Sequence, residues 1–141
     1  MEKSFKFKIV TPERIVYEDE VLGVSLPTAM GQISILRDHE PMVALLRAGE
    51  LSIDRAGEND FVAVSGGLIY VAKNTVVVLA DTAEHAQEID ETKAEEARQR
   101  AAALMREKLV DSEEYAEATA AFAKELARLR VAKKYRTKNK Q

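Results

Sequence analysis

Residues 61–104 read FVAVSGGLIYVAKNTVVVLADTAEHAQEIDETKAEEARQRAAAL, and the fold is decided inside this stretch. In its first half Phe61, Ala63 and Ser65 alternate with Val62 and Val64, Gly66-Gly67 breaks the run, and Leu68–Val71 resumes it. Alternation at period two marks a strand, whose side chains point to opposite faces in turn. Lys73-Asn74 then turns the chain into Thr75–Ala80, where Val76-Val77-Val78-Leu79 reads as a strand buried on both faces. From Asp81 onward β-branched residues become rare, alanine dominates, and apolar positions recur at spacings of three and four. The chain therefore divides into a β unit, expected over residues 1–86, and a helical unit over 87–141.

Working back toward the start, Phe5, Phe7 and Ile9 alternate with Lys6 and Lys8, which predicts a half-buried strand. Thr11-Pro12 interrupts it, because proline has no amide to give to a ladder. Leu22, Val24 and Leu26 repeat the alternation before Pro27, as do Ile33 with Ile35 after Gly31, and Leu51 with Ile53. Ala56-Gly57-Glu58-Asn59-Asp60 ends that last run with turn chemistry. Short strands with turns about every ten residues predict an antiparallel sandwich or barrel.

Toward the end, Asp90 is placed to cap a helix whose first turns carry Glu91, Glu95 and Glu96 at the positive end of its dipole. Ala94, Ala97, Ala101 and Leu104 form a narrow seam. Asp111 with Glu114 has the form of a capping box that starts a second helix, with Tyr115, Ala118, Phe122, Leu126 and Leu129 as its seam. A connection this short predicts an antiparallel two-helix hairpin. Alanine removes less apolar area than leucine, so the helices persist individually while their packing is marginal. An ordinary appended hairpin that never opens has the same composition.

The totals narrow the function. The 141 residues contain no cysteine, which excludes disulfides and thiolate chemistry, and the two histidines, His39 and His85, stand far apart in sequence. No apolar run approaches the roughly 20 residues of a membrane helix. Met1-Glu2-Lys3-Ser4-Phe5 has neither a secretory nor an organellar pattern, so a cytoplasmic product is expected. Residues 1–86 carry 8 basic and 13 acidic side chains, residues 87–141 carry 13 and 11. From Lys124 onward eight basic residues (Lys124, Arg128, Arg130, Lys133, Lys134, Arg136, Lys138, Lys140) face one acid, Glu125. Such a tail either meets something negative or stays solvated. A glycine-rich phosphate loop, a G-x-S-x-G elbow and an H-E-x-x-H motif are all missing, which argues against an enzyme. An acidic sandwich, with Tyr135 alone among the terminal cations, argues against nucleic acid as partner.

Seven motifs in order resemble the epsilon subunit of F-type ATP synthases. They are V-T-P-E-R at Val10–Arg14, G-Q-I-S-I-L at Gly31–Leu36, D-H-E-P-M at Asp38–Met42 and V-S-G-G at Val64–Gly67. V-L-A-D-T-A-E at Val78–Glu84, I-D-E-T-K-A at Ile89–Ala94 and A-R-L-R-V-A at Ala127–Ala132 complete the series. The resemblance implies a sandwich of about ten short strands at the foot of the central stalk of a proton-translocating synthase. The subunit would be non-catalytic, present in one copy and peripheral on the cytoplasmic face, without direct membrane insertion. Gly31, Pro41, Gly66 and Gly67 would hold its turns.

The resemblance also implies partners. Gln32, His39, Glu40 and Met42 would lie toward the gamma subunit and the polar loops of the c-ring. Gln32 stands where many relatives carry glutamate, and Glu40 where many carry alanine. The hairpin would lie folded or extend into the alpha and beta catalytic subunits to block ATP hydrolysis, with Arg128, Arg130, Lys133 and Lys134 as contacts. No cofactor is required. Some relatives bind regulatory ATP on the folded hairpin, and the matching positions here are Glu84, Ile89, Asp90, Lys93, Ala94, Arg100, Lys124 and Arg128. Lys93 and Lys124 depart from arginine, which loses the bidentate fork for phosphate. Asp90 also explains itself as a plain helix cap. The alternative function is a free-standing ATP-sensing adaptor.

Overall fold

The structure is a computed structural model that describes residues 3–139. Met1 and Glu2 of the expected start, and Lys140 of the basic tail, lie outside the described residues. The strands are β1 (Phe5–Val10), β2 (Ile15–Val21), β3 (Gly23–Thr28), β4 (Gly31–Leu36), β5 (Met42–Leu46), β6 (Gly49–Arg55), β7 (Glu58–Ala72) and β8 (Thr75–His85). A single 3-10 turn, Ala86–Glu88, leads into α1 (Glu91–Glu107) and α2 (Glu113–Asn139).

The strands number eight rather than ten because β7 and β8 are long and each serves two sheets. The second half of β7 pairs with β5, and the first half pairs with β6. One sheet therefore runs β2-β1-β8-β7-β5 and the other β4-β3-β6-β7-β8. Gly66 and Gly67 do not end the strand, as the sequence suggests, but bend it at the crossing, with φ of +47° and +134°. A Cβ on Gly67 would sit 1.9 Å from the Leu79 carbonyl oxygen, so only glycine lets β7 and β8 approach there.

One pairing departs from the antiparallel expectation: β1 runs parallel to β8, which the long intervening chain permits and a tight hairpin would forbid. The alternating residues Phe7, Ile9, Leu26, Ile35, Leu51, Ile53, Val62, Ile69 and Val78 fill the space between the sheets. Val76–Leu79 is not buried on both faces: Val76 and Val78 point inward, whereas Leu79 is exposed. Leu22 falls between β2 and β3 and not within a strand. The turn after β6 needs only Ala56 and Gly57, both at positive φ, and Glu58–Asp60 already belong to β7.

In the helical part Asp90 caps α1 by accepting a hydrogen bond from the Lys93 amide at 3.1 Å. Ser112, not Asp111, caps α2, its Oγ accepting from the Tyr115 amide at 3.1 Å. Asp111 lies one residue too early, in the turn, and no capping box with Glu114 forms. The helices fold back on each other, and α2 packs against β6 and β7. Alanines Ala94, Ala101 and Ala118 are buried on the hairpin, while Leu104 stays exposed at its far end.

Gly67→Ala is expected to cost about 3 kcal/mol or more, and Gly31→Ala, with open space at φ +107°, nearer 1 kcal/mol. Urea unfolding of the two variants checks this, and equal losses would contradict the close approach.

Candidate functional site

The two sheets present outer faces of different character. On the β5-β7-β8 side, Val43, Tyr70 and Val77 lie in one cross-strand row and Leu45, Leu68 and Leu79 in the next. Five of these six are exposed large apolar side chains. Directly opposed residues share a face, so they make one contiguous patch. A soluble surface seldom leaves such a patch bare without a partner for it.

The other outer face is covered by the chain's own hairpin. Glu50, Ala63 and Glu84 are direct cross-strand neighbours on β6, β7 and β8 and so form one row. Helix α2 crosses this row with Lys134 on Glu50 (2.7 Å) and Arg128 on Glu84 (2.9 and 3.1 Å). Val131, fully buried midway between the two cations, packs in one cluster with Ala63 and Ala86. The helix advances about 4.5 Å in three residues and strands are spaced roughly 4.8 Å, so residues 128, 131 and 134 keep step with three successive strands. Phe61, Ile89 and Tyr135 pack around this small apolar centre, and Lys134 and Lys138 lie 5.8 and 6.0 Å from the Phe61 ring centroid.

Arg128 is also bound within its own helix, Nη1 donating to Glu125 at 2.6 Å. That contact explains Glu125, a buried carboxylate on an otherwise apolar face. Burial pulls the Arg128 guanidinium down, but the hydrogen bonds to Glu84 and Glu125 outweigh it and hold it above its ordinary value. Between the helices, Arg136 donates to Glu91 at 2.9 and 3.1 Å, and Arg98 lies over the Phe122 ring at 5.8 Å. A hydrogen bond from Arg98 holds the Glu95 carboxyl down at about 2.

The residues matched to a nucleotide site are only partly brought together. Glu84 and Arg128 are joined, but to each other. Asp90 is used as a cap, Ala94 is wholly buried, and Ile89 packs into the apolar centre. Lys93 and Arg100 are exposed on α1, with Arg100 lining a shallow groove beside Ala97, Leu104 and Ala121, and Lys124 is half-buried. A triphosphate arriving at Arg128 would meet two carboxylates around one guanidinium, all three of whose nitrogens are engaged. In this arrangement Glu84 and Arg128, two of the residues matched to the nucleotide, are occupied by each other.

The residues expected toward gamma and the ring are dispersed. Gln32, the second residue of β4, donates to Ser25 Oγ at 2.9 Å, while His39 and Glu40 lie beyond the other end of that strand, with His39 Nδ1 2.8 Å from the Glu40 carbonyl. Met42 packs inward on the sandwich core, so the outward positions of β5 are Val43 and Leu45. Arg130 and Lys133 are exposed on α2. The sequence signals the apolar patch only through Val77 and Leu79, apolar residues at the outward positions of β8.

A β-sandwich carrying an alanine-lined two-helix hairpin is the class of fold that the described residues define. Residues 4–86 match the family described as ATP synthase, Delta/Epsilon chain, beta-sandwich domain, and residues 87–133 match its long alpha-helix domain. The chain belongs to the ATP synthase delta/epsilon family. It is 44% identical to the ATP synthase epsilon chain of Herpetosiphon aurantiacus over 91% of this chain and 93% of that one. Identity to the ATP synthase epsilon chain of Chloroflexus aggregans is also 44%, over 95% and 96%. The fold is similar to a chain in the Euglena gracilis mitochondrial ATP synthase, with TM-score 0.78 and 21% identity over 88% of this chain and 78% of that chain.

Val131→Ala removes buried methyl groups from the centre of the hairpin contact and is expected to loosen it by about 2 kcal/mol. Amide hydrogen exchange should speed up in α2 and leave β1 unchanged; unaltered exchange in α2 would show that the contact is held elsewhere.

Proposed function

We infer that the chain is the non-catalytic epsilon subunit in the central stalk of a proton-translocating ATP synthase, gripping the rotor with its sandwich and restraining ATP hydrolysis with its hairpin. The observation that carries this reading is the contrast between the two outer faces. One is closed by the hairpin, and the other offers the bare rows of Val43, Leu45, Leu68, Tyr70 and Leu79. An apolar core of this kind, rimmed by charge such as Lys8 with Glu18, has the composition of a permanent subunit interface. The gamma subunit is assigned to it. The loops holding His39 and Glu40, or the end of β4 at Gln32, face the polar loops of the c-ring.

The inhibitory part rests on charge. Arg128, Arg130, Lys133 and Lys134 follow one another along α2, and in an extended hairpin they meet acidic loops of the alpha and beta subunits. Among the described residues no helix is long and apolar enough to cross a membrane, and a peripheral position on the cytoplasmic face is part of the same proposal, with one copy per complex. Regulatory ATP, and with it the ATP-sensing adaptor, is the weaker reading, because Arg128 is committed to Glu84 and Glu125.

Two variants test the two halves. Leu68→Asp with Tyr70→Asp should abolish co-purification with the synthase while the sandwich stays folded; retained assembly would remove the patch from the interface. Truncation after Asp111 should leave assembly intact and raise ATP hydrolysis by the complex several-fold. Unchanged hydrolysis would refute inhibition by the hairpin.

A further inference from the structure

A hairpin that moves needs something to hold it when folded, and the described apolar contact is small. Apart from Val131, its buried members are the alanines Ala63 and Ala86. The charges around it are placed with more care. Glu50 and Glu84 flank Ala63 on adjacent strands, and Lys134 and Arg128 flank Val131 three residues away on either side. Every rung matches: anion to cation, small apolar to β-branched apolar, anion to cation. Only a helix crossing the strands, with 128, 131 and 134 facing down, satisfies all three at once.

We propose that this three-rung ladder, with Glu125 as a second carboxylate on Arg128, is an internal clasp that holds the hairpin on the sandwich without any nucleotide. It goes beyond the proposed inhibition by saying what sets the folded state, and rests on that reading only for the hairpin's mobility. The Arg128 rung is the stronger. Its partners are mostly buried and its fork meets both oxygens of Glu84, whereas Lys134 is half exposed. Arg128 and Lys134 are also two of the four cations assigned to the catalytic head. The clasp and the head therefore compete for them, and the hairpin is free to inhibit only after both charged rungs have opened.

Because the chain has no cysteine, Glu20→Cys on β2 and Lys108→Cys at the hairpin turn give two clean positions for spin labels in the full-length protein. Pulsed distance measurements should show one closed population without nucleotide, unchanged by millimolar Mg-ATP. Glu84→Gln should raise the open-to-closed ratio roughly tenfold or more, and Glu50→Gln by less. The exchange Glu84→Arg with Arg128→Glu should restore closure, and unchanged far-UV circular dichroism confirms that each variant is folded. Closure that depends on Mg-ATP, or a Glu84→Gln distribution identical to wild type, overturns the clasp. Glu84→Gln that opens the isolated chain yet leaves hydrolysis by the complex unaltered supports the clasp and refutes the inhibitory role.

Discussion

The spacing of one helix against the spacing of strands sets the arrangement of this molecule. A helical step of three residues and the distance between neighbouring strands are nearly equal, so α2 can lie across β6, β7 and β8 and give each one a side chain. Arg128, Val131 and Lys134 fall on Glu84, Ala63 and Glu50 as a result. Alanine at position 63 lets the helix come close, and the flanking carboxylates fix its register. Helix α1 has no comparable hold on the sheets and packs on α2. Everything in the hairpin therefore hangs from one row of the sandwich.

That arrangement explains why the two halves differ in robustness. The sandwich has a continuous core of large side chains such as Phe7, Ile9, Leu26 and Ile69, closed by the tight crossing at Gly67. The hairpin joint has a few small apolar groups and several charged contacts, including Lys134 with Glu50, and Arg14 with Glu88 near the junction. Exposed ion pairs of this type contribute little each, and their sum depends on the medium. A rigid foot with a releasable arm follows from those two kinds of packing, and it suits a subunit that stays bound by one face while the other is uncovered.

Much of the fold was legible in the sequence, for reasons that also mark where reading stops. Phe5, Phe7 and Ile9, or Leu51 and Ile53, alternate cleanly because one side of each strand is core and the other is wet. Strand β2 is charged through Glu18–Glu20 at the edge of its sheet, and β5 is short and apolar on both sides, so neither declares itself. Gly66-Gly67 looked like a break because a chain cannot announce that it will bend and continue. Asp90 was readable as a cap, whereas Asp111 and Ser112 compete for the same role and only local geometry chooses between them. The Glu84–Arg128 rung spans 44 positions and depends on strand register, helix phase and crossing direction together. Charge in the tail was visible; its partners were not.

The claim that charge holds the hairpin down has a direct test in the ionic strength dependence of amide hydrogen exchange in the full chain. Salt weakens ion pairs and, if anything, strengthens apolar contact, so the two kinds of joint respond with opposite sign. Raising sodium chloride from about 10 mM to about 1 M should speed exchange along α2 while β1, β7 and β8 keep their protection. Exchange in α2 that stays constant or slows would show that the apolar centre, and not the charge row, holds the hairpin.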